Sequence, residues 1–159
     1  MSSIKSDRVS IPINSIASKP MIRWTTELDR IRGDENSYYE VIEMKAYLIC
    51  SVRNLSPEEK EAIDKAIAPL REKYDLYVPY EEEQDIDGHL ICERNKEAVM
   101  EADVVFVWWN PKSEGSVFDF GMCYALGKNF VVLNPIERTP HKSFSNVLDD
   151  IRVDMGEVI

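Results

Sequence analysis

The chain has 159 residues, 44% of them hydrophobic and 30% charged, and a formal net charge of −10. That length suits one domain with a core of its own, and the acidity excludes general nucleic-acid binding, which needs a basic footprint, although it leaves room for a small anion in a local positive pocket. The longest apolar run, 104–109, is far too short to span a bilayer, and the opening Met1-Ser-Ser-Ile-Lys lacks a signal peptide's apolar stretch, so no membrane association is expected.

Residues 1–45 carry scattered apolar side chains with no sustained period and are punctuated by Pro12 and Pro20. They predict an irregular arm ahead of a domain spanning 46–159. Residues 46–50 read as a short buried strand that runs into Ser51-Val-Arg-Asn54. Ser56-Pro57-Glu58-Glu59 is a helix start: Ser as N-cap, Pro at the first helical position and Glu three residues after the cap. Ala62, Ile63, Ala66, Ile67 and Leu70 then share one helical face, which Pro69 should kink or cut short.

Residues 76–78 predict a second strand, and the acidic stretch 81–87 with Gly88 predicts a solvated loop that demands no metal. A helix follows over 89–102, with Leu90, Ile91, Ala98, Val99 and Ala102 as its buried residues. Residues 104–109 are almost wholly apolar, as a central parallel strand should be. A third helix over 117–126 closes at Gly127 in the C′ position. Residues 130–133 form a fourth strand ended by Asn134-Pro135, and 144–151 a last helix. Strand and helix alternate at βαβ spacing. The expected fold is therefore α/β: a single-domain flavodoxin- or Rossmann-like parallel sheet of four to five strands with helices on both faces.

Cys50, Cys92 and Cys123 are odd in number and lack metal-ligand spacing, which predicts buried thiols in a reducing cytoplasm. No Walker loop, GxGxxG or zinc spacing occurs, so neither a metal nor a cofactor is expected.

The residues with chemistry to offer cluster at the predicted C-terminal ends of strands, where open α/β sheets bind ligands. With Ser116 as N-cap, Asp119 is the third helical residue, where the helix dipole lowers a carboxylate's pKa and keeps it ionised. An ionised, positioned carboxylate suits attack on an electrophilic sugar carbon. The same Ser116-x-x-Asp119 spacing is also that of a capping box, in which the acid serves only a backbone N–H. Ser51 and Arg53 after the first strand suit a phosphate, or form a plain surface turn. Ser113, Gly115 and Ser116 make a small-residue loop before a helix start, a general anion site. Trp108 and Trp109 alternate faces, so one meets the core and the other the opposite layer or the pocket. His89 and His141 receive no role.

On these residues the chain resembles the nucleoside 2-deoxyribosyltransferase family, including its nucleoside 5′-monophosphate N-glycosidase branch. The resemblance covers residues 46–148. It rests on the strand leading into Cys50-Ser-Val-Arg53, on Ile91-Cys-Glu-Arg-Asn-Lys-Glu-Ala-Val-Met-Glu-Ala-Asp103 before an apolar strand, on Pro111-Lys-Ser-Glu-Gly-Ser-Val-Phe-Asp-Phe-Gly121 followed by Tyr124-Ala-Leu-Gly-Lys128, and on Ser143-Phe-Ser-Asn146. It implies a two-step retaining reaction: a carboxylate attacks C1′ as the base leaves, and a second base or water then takes the sugar. Asp119 aligns with the nucleophile, usually Glu in the family, and Glu114 on the same loop is a substitute. Asn95 stands where the family has an Asp; its amide can hydrogen-bond but cannot act as general acid or base. Ser51, Arg53, Ser113, Gly115, Ser116 and Asn146 would bind substrate. The partners implied are a small nucleoside or nucleotide and further copies of the chain, with active sites shared between subunits.

Three functions follow from this reading. One is an N-glycosidase or deoxyribosyltransferase acting on a nucleoside or its 5′-monophosphate. The second is a nucleotide-binding or sensing module with weakened chemistry. The third is an interaction protein in which the N-terminal arm matters most.

Overall fold

The computed structural model describes residues 43–158. The irregular arm expected at the N-terminus lies, for residues 1–42, outside the described residues; Met44 and Lys45 belong to the first strand. The elements are β1 (Met44–Ile49), α1 (Pro57–Ile67), β2 (Tyr74–Tyr77), a short 3-10 turn (Pro79–Glu81), α2 (Gly88–Glu101), β3 (Val104–Val107), α3 (Glu114–Ala125), β4 (Phe130–Val132), α4 (Phe144–Ile151) and the single turn α5 (Met155–Val158).

The four strands form one sheet in the order β2-β1-β3-β4, and every pairing is parallel. This is the flavodoxin-like order, in which the chain changes direction across the sheet between β1 and β3 and leaves a crevice at their C-terminal ends. The ladder Met44↔Tyr74 extends β1 two residues ahead of the expected start, because β2 itself begins at Tyr74. On the far edge, the Val153 N–H donates to the Phe130 carbonyl at 2.8 Å, so the segment after α4 lies against β4.

Alternation along the strands builds two cores. Ala46, Leu48, Val104, Phe106 and Val131 pack with Ile63 and Ile67 of α1 on one face. Tyr47, Ile49, Val105, Val107 and Phe130 pack with Val99 of α2, Phe120 and Cys123 of α3 and Leu148 of α4 on the other. Opposite faces for α1 and for α2 with α3 are what right-handed crossovers require in this strand order. Trp109 joins the second core and Trp108 packs against the first, as their alternation predicted. Among the described residues, no helix is long and apolar enough to cross a membrane.

Local signals account for most element ends. Ser56 Oγ accepts from the Glu59 N–H, with Pro57 at the first helical position, and α1 stops two residues before Pro69. Gly127 takes φ 67° just after α3, a left-handed conformation that costs glycine little. Several expectations need correction. Cys92, expected as a buried thiol, is exposed on α2, whereas Cys50 and Cys123 are buried as expected. Leu90 is exposed rather than buried, because α2 begins at Gly88 under an Asp87 cap and its sheet-facing residues are Asn95 and Val99. Ala62 is likewise exposed, which leaves Ile63 and Ile67 to seat α1. A further correction is the start of α3, which bears directly on the site.

Candidate active site

Helix α3 begins at Glu114, not at Val117. Ser113 is its N-cap, and Ser113 Oγ accepts from the Ser116 N–H at 3.2 Å. Two backbone-directed groups fix this start: Asn110 Oδ1 accepts from the Lys112 N–H, and the Ser113 N–H donates to the Asn110 carbonyl. Ser116 is therefore helical and fully buried, and Asp119 sits in the second turn. Both local readings of Asp119 fall with this shift, because it neither closes a capping box nor occupies the first turn, where the dipole acts.

Asp119 is instead a buried carboxylate whose partner comes from the sheet. The Tyr47 hydroxyl donates to Asp119 Oδ2 at 2.8 Å, while Oδ1 takes no hydrogen bond among the described residues. Burial pushes the Asp119 carboxyl up to about 6, and the Tyr47 hydrogen bond pulls it partly back. This corrects the expected direction. Burial and the Asp119 charge together keep the Tyr47 phenol protonated far above its ordinary range.

Tyr47 was not singled out from sequence. The available signal was a phenol within the otherwise apolar run 46–50, since a buried tyrosine hydroxyl needs a partner. Its ring stacks on Tyr77 at the end of β2, with centroids 5.3 Å apart and planes at 11°. The Tyr77 hydroxyl donates to Asn95 Oδ1 at 2.9 Å and accepts from Arg94 Nε at 3.0 Å. Tyr47 and Tyr77 thus connect Asp119 on α3 to Asn95 on α2.

Ser51 lies just past β1 and is buried, and its Oγ accepts from Asn110 Nδ2 at 3.0 Å. That bond spans the ends of β1 and β3, the crevice of the topological switch. Arg53 follows in an exposed turn that Asn54 closes at φ 57°, and it has no hydrogen bond or ion pair among the described residues. Ser113, Gly115 and Ser116 form the first turn of α3. Ser116 Oγ is buried and unpartnered among the described residues, three positions before Asp119 and so on the same side of the helix.

Two predicted residues are not brought to Asp119. Glu114 is exposed, and at five residues' separation it sits about 140° round the helix from Asp119. Asn146 spends its side chain on the preceding loop: Oδ1 accepts from the Thr139 N–H, and Nδ2 donates to the Thr139 and His141 carbonyls. An open cleft of about 870 Å³ runs between the β3–α3 loop and α4, lined by Trp109, Val117, His141, Phe144 and Asn146 among others, but not by Asp119 or Ser51. No group of three or more His, Cys, Asp or Glu side chains able to hold a metal occurs among the described residues.

Among solved structures, the CMP N-glycosidase BcmB of Clostridium botulinum matches with a TM-score of 0.52 at 18% identity, over 69% of this chain and 84% of that one. The two proteins share one fold. The fold expected from the sequence resemblance is thus the fold found. A 2-deoxyribosyltransferase from Leishmania mexicana also matches, at a TM-score of 0.42 and 20% identity, over 55% of this chain and 63% of that one. No protein-family model and no curated protein matches the chain.

Proposed function

We propose that the protein cleaves the N-glycosidic bond of a nucleoside or nucleoside 5′-monophosphate, with Asp119 as the nucleophile. One observation carries this reading: Asp119 is a buried carboxylate at the ligand-binding end of the sheet, with one oxygen held by Tyr47 and the other unengaged. The fixed Oδ2 orients the group, and Oδ1 is available to attack C1′ as the base departs. The glycosyl ester is then resolved by water, giving hydrolysis, or by a second base, giving transfer.

The surrounding residues suit the rest of such a substrate. Ser116 Oγ has an unused hydrogen-bonding capacity on the Asp119 side of α3 and is placed for a sugar hydroxyl. Ser51, Ser113 and the first-turn N–H of Gly115 suit a 5′-phosphate, and Arg53 swings to it from its exposed turn. Asn95 orients the base or sugar by hydrogen bonding. Asn146 acts by shaping the 139–143 loop, and Glu114 by adding negative charge at the rim. The similarity to a CMP N-glycosidase agrees with this class of reaction. On this reading a second copy of the chain packs on α3 and α4, where exposed Tyr124 and Phe144 both meet the buried Phe120 ring. Light scattering checks that assembly.

The test is chromatography of the purified protein after incubation with deoxynucleosides, ribonucleosides and their 5′-monophosphates, with and without an acceptor base. Free base released by the wild type and not by Asp119→Asn is the expected result. No release across the panel overturns the catalytic reading and favours a nucleotide-binding module. Thermal stabilisation by nucleotide then tests the module, since a ligand at 100 times its Kd adds about 2.7 kcal/mol.

A further inference from the structure

Arg94 has no part in the reading above, yet its guanidinium lies within the same tyrosine network. Nε donates to the Tyr77 hydroxyl at 3.0 Å and Nη1 to the Glu83 carbonyl at 3.0 Å. Nη2 is buried and has no partner among the described residues. A guanidinium is a rigid planar fork, and Nη2 shares an edge with Nε, so one Nη2–H runs parallel to the Nε–H that reaches Tyr77. That edge faces the group of Tyr77, Asn95 and Tyr47 that leads to Asp119.

A buried N–H of a cation is expensive to leave unpaired, and buried polar groups in folded proteins are rarely left so. The chemistry of the missing partner is narrow. Arginine has donors only and cannot give up its proton, so it suits an acceptor atom, best one that carries negative charge. Its neighbour Asn95 has no proton to transfer either. Neither Arg94 nor Asn95 can protonate a departing base, so beside them a base leaves with its negative charge.

We propose that Arg94 binds an acceptor atom of the substrate's base through Nη2 and holds the negative charge the base acquires as it leaves. This rests on the glycosidase reading. The C1′–N bond breaks, its electron pair passes to the ring, and Asp119 Oδ1 bonds to C1′, so the carboxylate's charge moves to the base. Water then adds to C1′, the ester bond breaks and restores the carboxylate, and the water proton neutralises the base anion. The bases favoured carry a ring carbonyl beside the glycosidic nitrogen, as 2-oxopyrimidines do, because the departing charge spreads onto that oxygen.

The experiment compares wild type, Arg94→Gln and Arg94→Lys in single-turnover release from uracil and 5-fluorouracil 5′-monophosphates, in ribo and deoxyribo forms. Fluorine makes the second base the better leaving group. Arg94→Gln should slow uracil release on the order of 10²- to 10³-fold, slow 5-fluorouracil release much less, and leave the affinity for ribose 5-phosphate unchanged. Arg94→Lys, which keeps the charge, should recover part of the loss. Equal losses on both bases, or weaker ribose 5-phosphate binding, would reduce Arg94 to a structural prop and overturn the proposal. If the wild type releases no base, the glycosidase reading fails by itself, and calorimetry decides the contact. Arg94→Gln must then weaken uridine 5′-monophosphate binding at least about tenfold, which is ~1.4 kcal/mol, without moving ribose 5-phosphate; any other result refutes the contact.

Discussion

Replacing Asp119 by Asn should abolish base release and stabilise the protein, and the gain should depend on pH. Burial raises the Asp119 carboxyl from an ordinary 3.8 to about 6. A folded-state value above the unfolded one means that the folded protein binds the proton more tightly, so stability is lost as pH rises through this window. Below about pH 3 both states are nearly protonated and the cost vanishes; above pH 6 the folded state carries a buried charge that the unfolded state would solvate. A rise from 3.8 to about 6 corresponds to ~3 kcal/mol at pH 7.5 and ~0.5 kcal/mol at pH 4. Asn keeps the shape and an oxygen for the Tyr47 hydroxyl but never ionises. Urea unfolding of both proteins at pH 4, 5, 6 and 7.5 measures the gap. The Asn variant should unfold at higher urea at pH 7.5, and the difference should shrink steadily toward pH 4. A variant less stable than wild type at pH 7.5, or a gap indifferent to pH, would refute the assignment of Asp119 as a destabilised buried carboxylate.

The same carboxyl should govern the reaction. kcat/KM for base release should rise with pH through an ionisation near 6, measured over pH 4.5–8. Tyr47→Phe removes the hydrogen bond that lowers the Asp119 carboxyl, so the acid limb should move to higher pH and the rate at pH 6 should fall more than the rate at pH 8; an unmoved limb would separate Tyr47 from Asp119. Arg53→Ala should cut the preference for a 5′-monophosphate over its nucleoside, read from the ratio of kcat/KM values, and an unchanged ratio rejects the phosphate role. Iodoacetamide should modify the native protein once, at exposed Cys92, because Cys50 and Cys123 are buried and burial pushes their thiols up to about 12. Mass spectrometry before and after unfolding in urea counts the labels.

The sheet, its helices and most caps were legible because each rests on residues near one another in the chain. Pro57 after Ser56, Gly127 after α3 and Ser143 before α4 all act within one turn. The start of α3 was harder, since Ser113 and Ser116 are both good caps by type. The choice falls to Ser113 through the turn that Asn110 holds at the end of β3, which composition does not reveal. The candidate site was legible as a list and not as an arrangement. Asp119, Asn95, Ser51 and Ser116 were named, but Tyr47 meets Asp119 across 72 residues, and Asn110 meets Ser51 across 59. Arg94 and Tyr77 meet only once α2 has docked on β2. Such contacts leave no period or spacing to read.

Misplacing a cap by three residues also reversed an electrostatic argument. A helix dipole contributes about 0.3–1 kcal/mol to a carboxylate and fades beyond the first turn. Asp119 lies in the second turn, beneath the sheet, so desolvation decides and the charge is disfavoured. On the proposed reaction this is an advantage. Attack on C1′ converts the buried anion into a neutral ester and moves the charge onto the base. The free energy that disfavours the carboxylate in the empty site is thereby relieved along the reaction coordinate. The Tyr47 Oη hydrogen bond that holds Oδ2 would supply the orientation this attack by Oδ1 requires.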